Sequence, residues 1–143
     1  MGRLKLEIFG FERRTALGLP LYLATVPAGF PSPAEDYIDK KLDLNEQLIK
    51  HPSATFFVRV EGDSMRDAGI GSGDILVVDR AVEPQNGHIV IAALDGELTV
   101  KRLRRQDGRL FLMPDNPEYA PVEISPEASF EVWGVVTYII HKA

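Results

Sequence analysis

From Thr55 to Ile140 the apolar residues recur at every second position in short runs, and turn residues separate the runs. Phe56, Val58 and Val60 fall on one side of the first run, with Phe57, Arg59 and Glu61 on the other. That is the period of a pleated strand with one buried face. Ile75 to Val78, His88 to Leu94, Leu98 to Leu103, Leu110 to Met113 and Phe130 to Ile140 continue the theme in β-branched and aromatic residues. Asp95-Gly96 and Asp107-Gly108 stand between successive runs. Both residue types accept the positive φ angles of a two-residue hairpin, so the strands they join should be antiparallel. The chain is therefore expected to be mainly β, a strongly bent antiparallel sheet. Its 143 residues, 45% of them apolar, suffice for one core and not for two full domains.

Upstream of the strands the pattern changes. Ala28-Gly29-Phe30-Pro31-Ser32-Pro33 combines glycine with two prolines and predicts an accessible, extended loop. Ser32-Pro33-Ala34-Glu35 and Asp43-Leu44-Asn45-Glu46 each have the form of a capping box. They predict two short helices, or one bent one, over about 33–50, with Ile38, Leu42, Leu48 and Ile49 inward and Glu35, Asp39, Lys40 and Lys41 outward. The first 28 residues superficially resemble an export signal: Arg3, Lys5, Arg13 and Arg14 precede an apolar run from Ala16 to Val26, with Ala28 at its end. Glu7 and Glu12 intrude on the positive part, and Gly18, Pro20 and Pro27 interrupt the rest. Residues 1–28 read instead as a flexible arm before a domain of residues 29–143. No run approaches the ~18 apolar residues of a membrane span, so no membrane crossing is expected.

Composition narrows the chemistry. The net charge of −5 offers no general footprint for nucleic acid, and sequence-specific DNA binding is not expected. Arg102, Arg104 and Arg105 read as a solvated strand face. The absence of cysteine removes thiolate metal sites and thiol nucleophiles, and His51, His88 and His141 are too scattered for a metal motif or an evident Ser-His-Asp triad. No metal or cofactor is expected. What remains is Gly62-Asp63-Ser64-Met65, where an apolar strand ends in a sharp turn. A serine at such a lip can expose its hydroxyl beside outward backbone N–H groups, as a nucleophile and its oxyanion hole require. Ser64 is the candidate nucleophile, with Asp63 and Met65 as its flanking oxyanion or turn residues. The alternative is plain turn chemistry, in which Gly, Asp and Ser serve only the backbone. Alternation along Glu97 to Leu103 puts Lys101 on the same face as Thr99 and Leu103, away from Arg102. A lysine among apolar groups loses preference for its charged form and can act as a general base near neutrality. Otherwise it is one more solvated strand lysine.

Gly62-Asp63-Ser64-Met65, Asp74-Ile75-Leu76-Val77-Val78-Asp79 and Asp95 through Leu103 together resemble the core of the serine–lysine self-cleaving peptidases of the LexA type. The resemblance covers about residues 28–140 and implies their bent sheet, shared with signal peptidases. The segments Ala28 to Pro33, Asp43-Leu44-Asn45 and His51 to Thr55 resemble the members that lack the repressors' DNA-binding domain and serve an error-prone DNA polymerase. The resemblance implies Ser64 as nucleophile, Lys101 as its base and Ala28-Gly29 as the bond the protein cuts in itself. It further implies a cytoplasmic protein of the SOS response to DNA damage. A RecA–single-stranded DNA filament would stimulate the cut, and a homodimeric product would join the polymerase's catalytic subunit. Ala28 stands where the best-known such members carry cysteine; alanine is the residue of LexA-type cleavage sites. Two other readings stay open: an interaction module with a vestigial dyad, and an exported β-domain whose arm is a signal peptide.

Overall fold

Alternating apolar runs can bury a face only by pairing side by side, and they do so here in one eight-stranded antiparallel sheet. The computed structural model describes residues 5–11, 18–22 and 38–143. It divides into two units, one of residues 1–11 with 51–143 and one of residues 12–50. In the larger, the strands are β1 (Lys5–Gly10), β4 (Thr55–Glu61), β5 (Ile75–Asp79), β6 (Ile89–Leu94), β7 (Glu97–Gln106), β8 (Arg109–Met113), β9 (Val122–Ile124) and β10 (Phe130–Ile140). Their order across the sheet is β1-β4-β5-β10-β6-β7-β8-β9. β6 to β7 and β7 to β8 are the hairpins expected from sequence: Asp95 and Gly96 have φ of 50° and 85°, Asp107 and Gly108 of 53° and 72°. Both central residues of a type I′ turn need positive φ, which is why Asp-Gly stands at these two places. β9, a three-residue strand, lies in a stretch whose alternation is too short to have been read.

The sheet buries side chains on both faces. One cluster holds Phe56, Val58 and Val60 of β4, Leu76 and Val78 of β5, Ile91 of β6, Val100 of β7, and Met65 and Ile70 from the turn after β4. The other holds Val90 and Ala92 of β6, Leu103 of β7, Leu112 of β8 and Val135 of β10. Alternate residues of β6 thus serve opposite clusters, as the two-residue period requires. β10 breaks that parity: Phe130, Val132 and Val135 face the second cluster, while Trp133, Val136 and Ile139 face the first. Register shifts between Val132 and Gly134 and between Val136 and Tyr138 explain it, because each one-residue slip exchanges the faces. These bulges let β10 pair with β6 along its first half and with β5 along its second. Gly134 is required at the first: a Cβ there would lie 2.7 Å from Val78 Cγ1 and 3.1 Å from the Asp79 carbonyl oxygen.

The smaller unit corrects one expectation. Ile38–Asp43, expected as helix, is strand β3, paired antiparallel with β2 (Gly18–Tyr22) from Gly18 opposite Asp43 to Tyr22 opposite Ile38. Pairing with a distant segment overrides a weak helical pattern, and no local signal reports it. At the second box Asp43 caps α1 (Leu44–Leu48), its carboxylate accepting the Asn45 N–H at 2.9 Å. The first box, at Ser32 to Glu35, lies outside the described residues, as does the proposed cut at Ala28-Gly29. Lys5–Gly10, within the stretch read as an arm, is the edge strand of the main sheet. Among the described residues no helix is long and apolar enough to cross a membrane.

Candidate active site

β4 carries the chain out of the sheet at Glu61, and Gly62, at φ 113°, turns it sharply. The return is tied down by Val60, whose N–H donates to the Asp74 carbonyl (3.0 Å) and whose carbonyl accepts the Gly73 N–H (2.7 Å). Ser64 follows the turn and is 4% exposed. Met65, beside it, is buried in the core and fixes the turn from beneath. Arg66–Ala68 then form one 3-10 turn closed by Gly69 at φ 81°. A serine that merely served turn chemistry would cap its own backbone; this one has a partner from another strand.

That partner is Lys101. Its Nζ lies 3.1 Å from Ser64 Oγ, 2.9 Å from Thr99 Oγ1 and 3.1 Å from the Val100 carbonyl oxygen. The three contacts match the three protons of an ammonium group. After loss of one proton, the amine still donates to Thr99 and Val100, and its lone pair is left for the Ser64 hydroxyl. Burial favours that loss, because a charged amine is poorly solvated there, and the Lys101 pKa falls from 10.5 to about 8. No carboxylate or histidine touches Nζ among the described residues. Desolvation therefore acts alone, the route the sequence suggested.

The turn is braced from behind by the loop after β8. Asn116, 3% exposed, donates from Nδ2 to the Asp63 carbonyl (2.8 Å), and its Oδ1 accepts the Glu118 N–H (2.9 Å). The Tyr119 hydroxyl donates to Asp63 Oδ1 (2.6 Å). The Asp67 N–H donates to the Asp115 carbonyl (2.7 Å), and the Asp115 N–H meets Met65 Sδ at 3.3 Å. Asp115 is itself held by Arg102, whose Nη2 and Nε reach its carboxylate at 2.6 and 3.1 Å. This pair takes Arg102 out of the solvated cluster, while Arg104 and Arg105 stay exposed as expected. With the carbonyl and carboxylate of Asp63 both engaged, the Asp63-Ser64-Met65 backbone has little freedom. The N–H groups of these three residues have no acceptor among the described residues.

Ser64 and Lys101, 37 positions apart, are thus brought together. Thr99, Asn116, Tyr119 and Asp115 were not singled out from sequence. Thr99 had a signal, since residues i and i+2 share a strand face; the loop residues had none. The histidines serve elsewhere: His51 Nδ1 lies 2.6 Å from Asp79 Oδ2, and His141 Nδ1 2.6 Å from Asp74 Oδ1.

Known proteins resemble this chain along most of its length. The Peptidase S24-like family matches residues 20–137. Protein SamA of Salmonella typhimurium strain LT2 is 53% identical over 123 residues, 86% of this chain and 85% of its own. Protein MucA of Escherichia coli is 44% identical over 137 residues, 94% of this chain and 93% of its own. A LexA repressor of Paracidovorax citrulli is 42% identical over 126 residues, 88% of this chain and 55% of the repressor.

Proposed function

The chain belongs to the S24-like peptidase family, and from that premise we propose that it is a self-cleaving serine–lysine endopeptidase that cuts its own bond between Ala28 and Gly29. The observation that carries the reading is the 3.1 Å approach of Lys101 Nζ to Ser64 Oγ at an amine whose pKa burial lowers to about 8. Neutral Lys101 takes the Ser64 hydroxyl proton as Oγ attacks the Ala28 carbonyl carbon. The oxyanion is held by the free backbone N–H groups at Asp63 to Met65. The Lys101 ammonium then gives its proton to the Gly29 nitrogen, which leaves as an amine, and residue 28 is held as an ester on Ser64. Lys101 next deprotonates a water, which hydrolyses the ester and frees Ser64 and the Ala28 carboxylate. No metal or cofactor enters any step. Alanine and glycine at the cut need only a shallow pocket, and the following prolines keep the segment extended.

The processed form, residues 29–143, acts as a homodimeric accessory subunit of an error-prone DNA polymerase in the SOS response, in the manner of UmuD-type proteins. A RecA–single-stranded DNA filament stimulates the cut, in the cytoplasm. The likeness to SamA and MucA over nearly the whole chain supports this assignment. The test is the mass of purified protein after prolonged incubation. A fragment beginning at Gly29 is expected from the natural chain, and none from Ser64→Ala or Lys101→Ala, each folded by circular dichroism. The same fragment at the same rate from either variant would remove the dyad and leave the interaction-module reading.

A further inference from the structure

The residues upstream of Ala28 supply two strands, and each is paired with chain that lies downstream of it. β1 runs along the outer edge of β4, from Lys5 opposite Glu61 to Gly10 opposite Phe56. β2 runs along β3, from Gly18 opposite Asp43 to Tyr22 opposite Ile38. Side chains add to the hold of β1. Leu6 packs on the cluster of Val58 and Val60. The Phe9 ring lies 5.2 Å from the Arg59 guanidinium, and the Phe11 ring meets Phe57 edge-on at 5.9 Å. Ile8 and Gly10 wall a cavity of about 280 Å³ shared with Thr55, Phe56, Arg80 and Trp133.

Building on the cut proposed above, we infer that the two pieces of a self-cleaved chain stay together. β1 and β2 remain docked on β4 and β3, and the departure of the piece that carries them is a separate step that uncovers the outer edge of β4. The Ala28-Gly29 bond lies in the connection between β2 and β3. Breaking it touches neither ladder. It removes only the tether, so a contact held at an effective concentration of about millimolar becomes one that dilution can undo. Once β1 leaves, the outward N–H and C=O groups of β4 lose their partners and the apolar cover of Leu6 goes with them. A bare edge of this kind accepts another extended strand. It lies on the strand that leads directly into Ser64.

The experiment uses the full chain with Ser64→Ala and residues 30–36 replaced by the recognition sequence of a site-specific protease, so that the nick does not depend on Ser64. After complete nicking, verified by denaturing mass spectrometry, the two pieces are expected to travel together in native mass spectrometry at about 10 µM. They should part on dilution by about 100-fold. An excess of a synthetic peptide of residues 3–12 should displace β1 at the undiluted concentration. Leu6→Asp should let the pieces part at a protein concentration at least ~10-fold higher, through loss of apolar contact. If that variant does not fold, the peptide competition still decides. Pieces that separate on nicking at about 10 µM would overturn the inference. Whether the natural chain cuts itself is read separately from its denatured mass, so failure of the peptidase reading and failure of this one are distinct results.

Discussion

The lowered pKa of Lys101 makes a specific demand on the pH dependence of self-cleavage. A general base works only when unprotonated, so the unstimulated rate should follow the neutral fraction of Lys101. At a pKa of about 8 that fraction is roughly one-eleventh at pH 7, one-half at pH 8 and ten-elevenths at pH 9. The rate should therefore rise about fivefold from pH 7 to 8, about tenfold from pH 7 to 9, and level off above. A lysine at its ordinary 10.5 would instead give about a tenfold gain per pH unit through pH 9 and keep climbing beyond. The assay is the appearance of the fragment beginning at Gly29, by intact mass at constant ionic strength, with circular dichroism at each pH to confirm the fold. A rate that still climbs about eightfold from pH 9 to 10 would refute desolvation of Lys101. A flat or falling profile would refute lysine as the base.

The same burial sets a sign for stability. Because the folded-state pKa of Lys101 lies below its ordinary value, the buried ammonium costs stability in full below pH 8; the cost fades between pH 8 and 10.5 and is absent above. Lys101→Met should accordingly stabilise the fold at pH 7 on the order of 1 kcal/mol, after discounting for solvent at a site that is not fully enclosed; a lower urea midpoint would contradict this. Gly134→Ala should destabilise by about 2 kcal/mol, because its Cβ would press on Val78 and on the Asp79 backbone; thermal melting within 1 °C of the natural protein would show that the bulge can yield. Asn116→Ala should slow self-cleavage about tenfold and cost about 1–2 kcal/mol through loss of the Asp63 contact, with the midpoint of the pH profile unchanged. A shifted midpoint would mean that Asn116 acts on Lys101 and not on the serine turn.

Much of the main sheet was legible in the chain because its signals are local. Period-two alternation marks a strand by itself, and Asp-Gly marks a hairpin because few other pairs accept two positive φ angles in succession. The side of β7 on which Lys101 stands, and the loss of charge preference that burial would bring, also followed from alternation. Other features depend on partners far along the chain. Ile38 to Asp43 had a helical pattern and became a strand because Gly18 to Tyr22 pairs with it. Lys5 to Gly10 had the composition of an arm and became an edge strand because β4 offered it an open edge. The bulges of β10 arise where one strand must pair with both β5 and β6. At the site the division is the same. Ser64 and Lys101 could be named singly from turn geometry and strand alternation, but the 3.1 Å between them, and the brace of Asn116 and Tyr119 behind Asp63, exist only where the sheet carries β7 and the loop after β8 to the turn that follows β4. Local sequence dictates which way a residue faces along its own strand, whereas what it meets there depends on packing between segments whose separation no local pattern encodes.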